Sequence, residues 1–401
     1  MRKNGVNRNL LPIAGGVCAP AGFKANGIAS GIRADGSKDL ALIYAEKRCP
    51  TAGVFSQCNP VGSPVKISKK HLKNGYAHAI IINSGIANVF LPNGDKIADR
   101  ECQLVEKYCC VIKEDILVAS TGEIGLTLPI EPFEMGIKRL AEGLGVNDMN
   151  SYAAAQAIAS VGEVPKQLSF SFDIGDISCK IGAIFKGSAR VCPNMATTLV
   201  FLTTDVCITP EMLQKALSAE VKETLNLLFI DGEPSPNDTV CIMANGRAGN
   251  WRIDCADTEY KKFTFALRSV LSCICKELIR NTEGVTKTLC CKVSGSRSKQ
   301  VSRALAKRLA GAKNILDGIK EKNLKIEDVF YLLAEEGAME DALSVRISLQ
   351  SAKGVLTLYE DGVKLPYVQS TGEEILSASD VWLCVDLGKG NYQSIGYGCI
   401  W

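Results

Sequence analysis

The residues best suited to chemistry in this sequence do not include a histidine in a familiar catalytic motif. His71 lies in a lysine-rich stretch and His78 opens an apolar run, so both are interpreted as surface or structural histidines. The sequence has no Gly-x-Ser-x-Gly elbow, no Gly-x-x-x-x-Gly-Lys-[Ser/Thr] loop and no His-Glu-x-x-His pair. These absences argue against the common hydrolase, nucleotide-binding and zinc-protease sites.

A threonine at a chain N-terminus can act as a nucleophile without histidine. Its own α-amine, with a pKa of about 7.7–8.0, serves as the base. Inside a chain, this arrangement requires cleavage just before the threonine. Ala196-Thr197 has suitable residue types, because the small alanine leaves its carbonyl open to attack and β-branching restricts the threonine hydroxyl. Taken alone, however, the dipeptide is better explained as the ordinary start of a strand.

The elements that position such residues follow from the periodicity of apolar side chains. We predict strands over 79–83, 116–119, 168–174, 177–184, 198–205, 344–349, 354–360 and 381–387. Helices are predicted over 95–112, 209–228, 258–280 and 299–313. Because hairpins alternate with helices, the order favours an α+β fold over a doubly wound sheet.

The composition of the sequence limits the classes of partner and the cellular compartment that we expect. The 401 residues carry a net charge of only +3, without clustered Lys/Arg and interleaved aromatics, so we expect no nucleic-acid partner. No signal peptide and no apolar run of about 18 residues is evident, so we expect no membrane partner and a cytoplasmic protein. The 17 cysteines include no Cys-x-x-Cys pair, so buried thiols are expected and no metal site.

Several blocks, in order over roughly residues 12–290, resemble the ornithine acetyltransferase family of bifunctional glutamate N-acetyltransferases. The blocks are 15–25, 52–55, 83–88, 119–125, 186–188 with 193–197, 231–233 with 237–239, and 283–287. The resemblance implies an α+β fold, the layered α/β sandwich of the ornithine acetyltransferase and N-terminal-nucleophile aminopeptidase type. It also implies autocatalytic cleavage between Ala196 and Thr197, giving an α chain of residues 1–196 and a β chain of 197–401. Two copies of each would assemble into a heterotetramer.

The same resemblance implies roles for single residues. Thr197 would be the nucleophile, and Thr121 and Gly122 would form the oxyanion hole. The substrate-binding residues would be Ser160, Lys186, Thr197 and Glu283. The reaction would move an acetyl group from N-acetylornithine to glutamate by a ping-pong mechanism without a cofactor, with acetyl-CoA as an alternative donor in some members. Without the resemblance, Thr121-Gly122 would be interpreted as an ordinary turn, and Lys186 and Glu283 as solvated surface charges.

Some stretches depart from the family pattern. Residues 160–166 replace a Thr-Thr-Asp-Thr block before Pro-Lys, and only Ser160 offers a hydroxyl there. Arg190 adds a charge near the cleavage point, and an expected Asp-Pro-Asn-Trp-Gly-Arg motif is not found near residue 320. The chain stops at Trp401, where the family is expected to continue into a substrate-binding tail. Two alternatives therefore stay open: a self-cleaving paralogue that transfers or hydrolyses another N-acyl group, and a catalytically silent binding protein.

Overall fold

The computed structural model describes residues 10–187, 198–230, 235–338, 342–366 and 368–401. The predicted cleavage site, Ala196-Thr197, and the block 231–233 lie outside the described residues. The chain divides into two compact units. The first comprises Met1–Glu220 and Glu233–Val270, and the second comprises Val221–Gly232 and Leu271–Trp401. This division does not coincide with the predicted cleavage point, because residues on both sides of Thr197 belong to the first unit.

The first unit is built on one nine-stranded sheet. Its strands are β1 (Leu11–Pro12), β2 (Phe23–Ile28), β3 (Leu40–Phe55), β4 (Tyr76–Asn83), β5 (Ile116–Ser120), β6 (Lys166–Ile174), β7 (Ile177–Lys186), β8 (Leu199–Thr204) and β9 (Thr239–Ala244). They lie in the order β1-β6-β7-β8-β9-β3-β4-β5, and β2 pairs with β3. The helices α1 (Ser63–His71), α2 (Gly94–Cys109), α3 (Glu131–Glu142) and α4 (Asp148–Ile158) also belong to this unit.

The long strand β3 connects the two parts of this sheet. Its first half pairs with β2 and β4, and its second half, Thr51–Phe55, pairs with β9. The register with β4 shifts between Tyr44 and Cys49, where exposed charged residues interrupt the apolar pattern. A bulge of this kind bends a strand and increases its twist, so one strand can serve both parts of the sheet.

Helices cover both faces of the sheet around β3, β4 and β5. Alternate side chains of a strand point to opposite faces. On one face Leu40, Ile81 and Val118 share a core with α2 and α3, whereas Ile43 and Ile80 share the other core with α4. The apolar run at 79–83 therefore contributes to two cores, which explains why it shows no polar alternation.

The second unit has a six-stranded sheet with helices packed on it. Its strands are β10 (Lys287–Ser296), β11 (Arg346–Ser351), β12 (Gly354–Glu360), β13 (Val363–Lys364), β14 (Asp380–Asp386) and β15 (Tyr392–Ile400), in the order β13-β12-β11-β14-β10-β15. The helices α7 (Lys299–Gly311), α8 (Lys313–Lys320), α9 (Ile326–Glu335) and α10 (Gln369–Leu376) contribute to its core. Helices α5 (Pro210–Glu223) and α6 (Thr258–Arg280) each contain residues of both units.

The predicted α+β class is confirmed, and the predicted elements are found with small shifts in their boundaries. The sequence did not predict several other elements, among them β3, β10, β15, α3 and α4. Helix α2 ends three residues before the predicted end at 112, because Cys110 adopts a left-handed conformation with φ 57° and caps the helix. Helix α5 ends at Glu223 rather than 228, and a short 3-10 turn over Leu225–Leu227 follows it. The hairpin β6–β7 has the predicted position, with Ile174 opposite Ile177 and Gly175 at φ 59°.

The two histidines and the buried cysteines make contacts typical of residues that contribute to packing. Nδ1 of buried His71 lies 2.8 Å from the Ile116 carbonyl oxygen, and His78 stacks on Tyr44 with ring centroids 5.3 Å apart. Burial raises the pKa of thiols such as Cys18, to about 12. Within the described residues, no group of three or more His, Cys, Asp or Glu side chains is arranged to hold a metal ion. None of the helices described is long and apolar enough to cross a membrane.

Candidate active site

The candidate site begins at the end of strand β7. This strand runs to Lys186, which pairs with Leu199 at the start of β8. The chain between these two residues includes Ala196-Thr197, so the predicted nucleophile belongs to the connection that leaves the sheet at Lys186. Thr198, the residue after the predicted nucleophile, donates its backbone N–H to Asp238 Oδ1 at 2.8 Å, and its carbonyl oxygen accepts from Thr239 N at 3.0 Å.

Lys186 contacts the predicted oxyanion loop directly. Its Nζ donates to Thr121 Oγ1 at 2.7 Å. Only 3% of Lys186 and 1% of Thr121 is exposed to solvent. Burial of an ammonium disfavours its charged form. It lowers the pKa of Lys186 to about 8, while Glu163 raises it and Arg33 and Lys166 lower it further.

Gly122 occupies a backbone position that only glycine fits. Its φ is 137°, and an added Cβ would lie 2.2 Å from the carbonyl carbon of Gly85. On either side of it, Thr121 N donates to Asn83 O at 3.0 Å and Glu123 N donates to Gly85 O at 2.9 Å. The Gly122 N–H itself donates to no group in the described part of the chain. Among the described residues, a backbone donor is thus held between two hydrogen-bonded neighbours and has no partner of its own.

Asn237 ties this loop to the sheet. Its side-chain amide donates to Ala87 O at 2.6 Å and to Ser120 O at 3.0 Å, and it is buried. Its neighbour Asp238 accepts from both Thr198 N and Ser235 N. Within the block 237–239, Asn237 therefore holds the loop that carries Thr121. Asp238 holds the backbone of Thr198, next to the predicted nucleophile.

The segment after α4 brings a second hydroxyl and a buried ion pair. The backbone N–H of Ser160 donates to Glu163 Oε2 at 2.9 Å, and Glu163 also pairs with Lys166. The side chains of Glu163 and Lys166 are 10% and 5% exposed. An ion pair this deeply buried fixes both partners, because breaking it would leave an uncompensated charge.

A loop between β2 and β3 adds an arginine to the same region. Asp39 is buried, and its two carboxylate oxygens accept from Ser30 N and Oγ, Gly31 N and Arg33 N. The Arg33 guanidinium in turn donates to Ser37 Oγ, Lys38 O and Ala159 O. The loop conformation therefore depends on one carboxylate, and it holds the guanidinium beside the segment that carries Ser160.

Arg33, Gly122, Ser160 and Lys186 line one cavity of about 420 Å³. It lies within the first unit and is lined by residues 32–35, 85, 86, 122, 123, 126, 160, 161 and 186. Arg33 and Lys186 give the wall positive charge, and Asp35 and Glu123 give it negative charge. A cavity with both signs of charge suits a ligand that carries a carboxylate and an ammonium.

The structure brings together most of the predicted site residues. Ser160, Lys186 and Gly122 line the cavity. Thr121 lies behind this lining, where its hydroxyl accepts a hydrogen bond from Lys186. Glu283 belongs to the second unit, where it is exposed and follows α6. Thr197 and Ala196 lie outside the described residues. Their proposed roles, and that of Glu283, stay predictions from the family resemblance.

Sequence reasoning missed the roles of Arg33, Glu163 and Asn237. Arg33 stands in a polar loop without a motif, so no local signal distinguished it from a surface charge. Glu163 lies in a stretch whose only sequence signal is its departure from the family pattern. Asn237 lies in a block that matches the family, but its hydrogen bonds go to carbonyls more than 100 positions away in sequence.

Comparison with known proteins identifies the family. The sequence model of the ArgJ family matches residues 24–400. The arginine biosynthesis bifunctional protein ArgJ of Symbiobacterium thermophilum is 32% identical over 390 residues, which is 96% of each chain. ArgJ 1 of Clostridium acetobutylicum is 32% identical over 94% of this chain and 92% of its own. The glutamate N-acetyltransferase of Methanocaldococcus jannaschii is 31% identical over 96% of each chain. This chain therefore belongs to the ArgJ family, as the resemblance of its sequence blocks predicted.

Proposed function

We propose that this enzyme is an acyltransferase that moves an acetyl group from N-acetylornithine to glutamate. The observation that carries the proposal is the contact between Lys186 Nζ and Thr121 Oγ1 beside Gly122, at the wall of a cavity with both signs of charge. Membership of the ArgJ family supports it, since relatives are named as arginine biosynthesis bifunctional proteins and as a glutamate N-acetyltransferase.

The proposed chemistry begins with cleavage before Thr197. The Thr197 hydroxyl attacks the carbonyl carbon of Ala196, the peptide bond shifts to an ester, and water hydrolyses this ester. The products are residues 1–196 and a chain that starts at Thr197 with a free α-amine. We propose that two copies of each chain assemble.

Acetyl transfer then follows in two half-reactions. The α-amine of Thr197 accepts the hydroxyl proton while the oxygen attacks the acetyl carbonyl of N-acetylornithine. The resulting oxyanion accepts hydrogen bonds from the Thr121 hydroxyl and the Gly122 N–H, and the bond to ornithine breaks as its amine takes the proton. The neutral glutamate α-amine next attacks the acetyl carbon of acetyl-threonine, the bond from this carbon to the threonine oxygen breaks, and the α-amine of Thr197 passes the proton of the attacking amine to that oxygen, which releases N-acetylglutamate. Neither half-reaction requires a cofactor.

The charges of the cavity suit both substrates. Each substrate carries an α-carboxylate, for which Arg33 and Lys186 provide positive charge. Asp35 and Glu123 provide negative charge for the side-chain ammonium of N-acetylornithine. We propose that Ser160 adds a hydroxyl to this set, and that Glu283 contributes as the family resemblance predicts.

The test combines cleavage with transfer. Purified protein should give two bands on a denaturing gel, and Edman sequencing of the second chain should begin Thr-Thr-Leu-Val. Brief exposure to N-acetylornithine should add one acetyl group to that chain, detected by mass spectrometry, and release ornithine. Thr197→Ala should remain uncut and unacetylated.

The possible results distinguish the proposed transferase from the alternative functions. A single uncut chain after long incubation would contradict the whole mechanism. Cleavage without acetyl-enzyme at millimolar N-acetylornithine would reject this donor and favour another N-acyl substrate or a binding function. Acetylation by acetyl-CoA in a parallel sample would add that donor to the proposal.

A further inference from the structure

We infer that Lys186 is a positioning residue for the oxyanion donor: by donating to Thr121 Oγ1 it forces the hydroxyl proton of Thr121 to point to the reacting oxygen. This goes beyond a substrate-binding role for Lys186. It rests on the proposed acyl transfer, because a reacting oxyanion must form at this place.

The argument starts from the hydrogen-bonding capacity of the two side chains. An ammonium has three donors and no acceptor, whereas a hydroxyl has one donor and two acceptor lone pairs. In the 2.7 Å contact between them, Thr121 Oγ1 must therefore be the acceptor while Lys186 is charged. The proton of the hydroxyl then has to be directed elsewhere. Among the described residues, Thr121 Oγ1 has no hydrogen-bond acceptor.

The surroundings keep this pair in place. Thr121 N is bonded to Asn83 O, and Ser120 O accepts from Asn237, so the backbone of Thr121 is held on both sides. Lys186 closes a strand that is paired with β6 and β8. Both side chains are buried, so water does not compete for the lone pairs of the hydroxyl. A donor oriented in advance stabilises an oxyanion without reorganisation at the moment of reaction.

The charge of Lys186 makes this orientation dependent on pH. When Lys186 loses its proton, its nitrogen gains a lone pair and becomes an acceptor for the Thr121 hydroxyl. The hydroxyl then turns from the oxyanion to Lys186. The charged groups that face Lys186 are Glu163, which favours the ammonium, and Arg33 and Lys166, which disfavour it. Burial, the largest influence, brings the pKa of Lys186 to about 8.

Lys186 and the α-amine of Thr197 should change the acylation rate in opposite directions as pH increases. The α-amine of Thr197 must be neutral to act as the base, so the rate should rise as pH increases through about 7.7–8.0. Lys186 must be charged, so it causes a fall as pH increases through about 8. The acylation rate should therefore show a narrow bell, and the alkaline side should require the Thr121 hydroxyl.

The experiment uses 4-nitrophenyl acetate as acetyl donor, because this ester has no carboxylate for Lys186 to bind. Single-turnover acetylation of the cleaved enzyme is followed by release of nitrophenolate from pH 6 to 10, with Thr197→Ala as the background. The variants are Thr121→Val, which keeps the shape but not the hydroxyl, Thr121→Ser, which keeps the hydroxyl, Lys186→Met and the double variant Thr121→Val/Lys186→Met.

We expect Thr121→Val to lower the acetylation rate by about 10²-fold, as loss of one oxyanion donor does. Lys186→Met should lower it comparably, and the double variant should be no slower than Thr121→Val, since both changes remove the same donor. Thr121→Val should also lose the alkaline fall in rate, whereas Thr121→Ser should keep it. Independent losses that multiply to about 10⁴-fold in the double variant would overturn the inference.

If Lys186→Met does not fold, the pH dependence of acetylation in the Thr121 variants still tests the inference. An unchanged alkaline fall in Thr121→Val would then contradict the inference without use of any Lys186 variant. Failure of the proposed function gives a different result, because the wild-type enzyme would be acetylated by 4-nitrophenyl acetate but not by N-acetylornithine.

Discussion

At the scale of single residues, the candidate site contains a backbone donor that is fixed by its neighbours and has no partner among the described residues. Gly122 carries this donor, because its neighbours Thr121 and Glu123 donate to the 83–85 segment while its own N–H donates to no described group. The backbone of Gly85 lies where a side chain of residue 122 would begin. The close approach that fixes this donor therefore also excludes every residue except glycine.

The first residue-scale prediction is that Gly122→Ala lowers acetylation by about 10²–10³-fold, since the added Cβ would displace an oxyanion donor. Gly125→Ala is the matched control, because Gly125 also has positive φ, 93°, but nothing within 4 Å of its Cβ position. Single-turnover acetylation and thermal unfolding should be measured for both. If Gly125→Ala is as inactive as Gly122→Ala, loop strain rather than the contact with Gly85 controls the rate.

At the scale of elements, a loop without regular structure is organised by one buried carboxylate. Asp39, the residue immediately before β3, accepts four hydrogen bonds from the segment 30–33. Through this segment it positions the Arg33 guanidinium at the cavity wall. The loop thus contributes Arg33 to the cavity wall, and its Ile32 packs against the core that includes α2 and α3.

The element-scale prediction is that Asp39→Asn raises KM for N-acetylornithine more than it lowers kcat. An amide replaces one acceptor oxygen with a donor, and hydrogen bonds to charged groups contribute about 1.5–3 kcal/mol each. The loop then holds Arg33 less firmly, and binding shared by ground and transition states weakens. We expect a KM increase of about 10-fold, which corresponds to about 1.4 kcal/mol.

Steady-state kinetics with Asp176→Asn provide the comparison for Asp39→Asn. Asp176 lies in the exposed turn between β6 and β7, away from the cavity lining. Its replacement should leave KM unchanged. A fall in kcat at constant KM in Asp39→Asn would show that the loop acts on the transition state instead of on substrate binding.

At the scale of the whole molecule, the proposed cleavage divides a chain whose first unit needs both products. Strand β7 comes before Thr197 and β8 after it, and they pair from Ile181–Thr204 to Lys186–Leu199. Strand β9, also after the cleavage point, pairs with Thr51–Phe55 of β3. The nine-stranded sheet therefore contains residues from both predicted chains.

We accordingly predict that the two cleavage products stay together under native conditions. They should elute as one species in size-exclusion chromatography and separate only in denaturant. Uncut Thr197→Ala should elute at the same volume, because the sheet does not depend on the covalent bond. Separate elution of residues 1–196 and 197–401 without denaturant would contradict this expectation.

Much of the fold was predictable because its signals are local. The apolar run at 79–83, the Gly175 turn of the β6–β7 hairpin and the Pro210 start of α5 each follow from a few adjacent residues. The ends of α2 and α5 were predicted too late, because they depend on a left-handed Cys110 and on a 3-10 turn that the apolar periodicity does not reveal.

The sequence by itself determined the α+β class and, through its matching blocks, the family with its candidate residues Thr121, Gly122, Lys186 and Thr197. Only the tertiary structure decided which side chains meet. The contact between Lys186 and Thr121 joins residues 65 positions apart, and Arg33 reaches Ala159 across 126 positions. Such pairs form because strand pairing and burial bring distant segments together, and no local pattern of residues encodes that proximity.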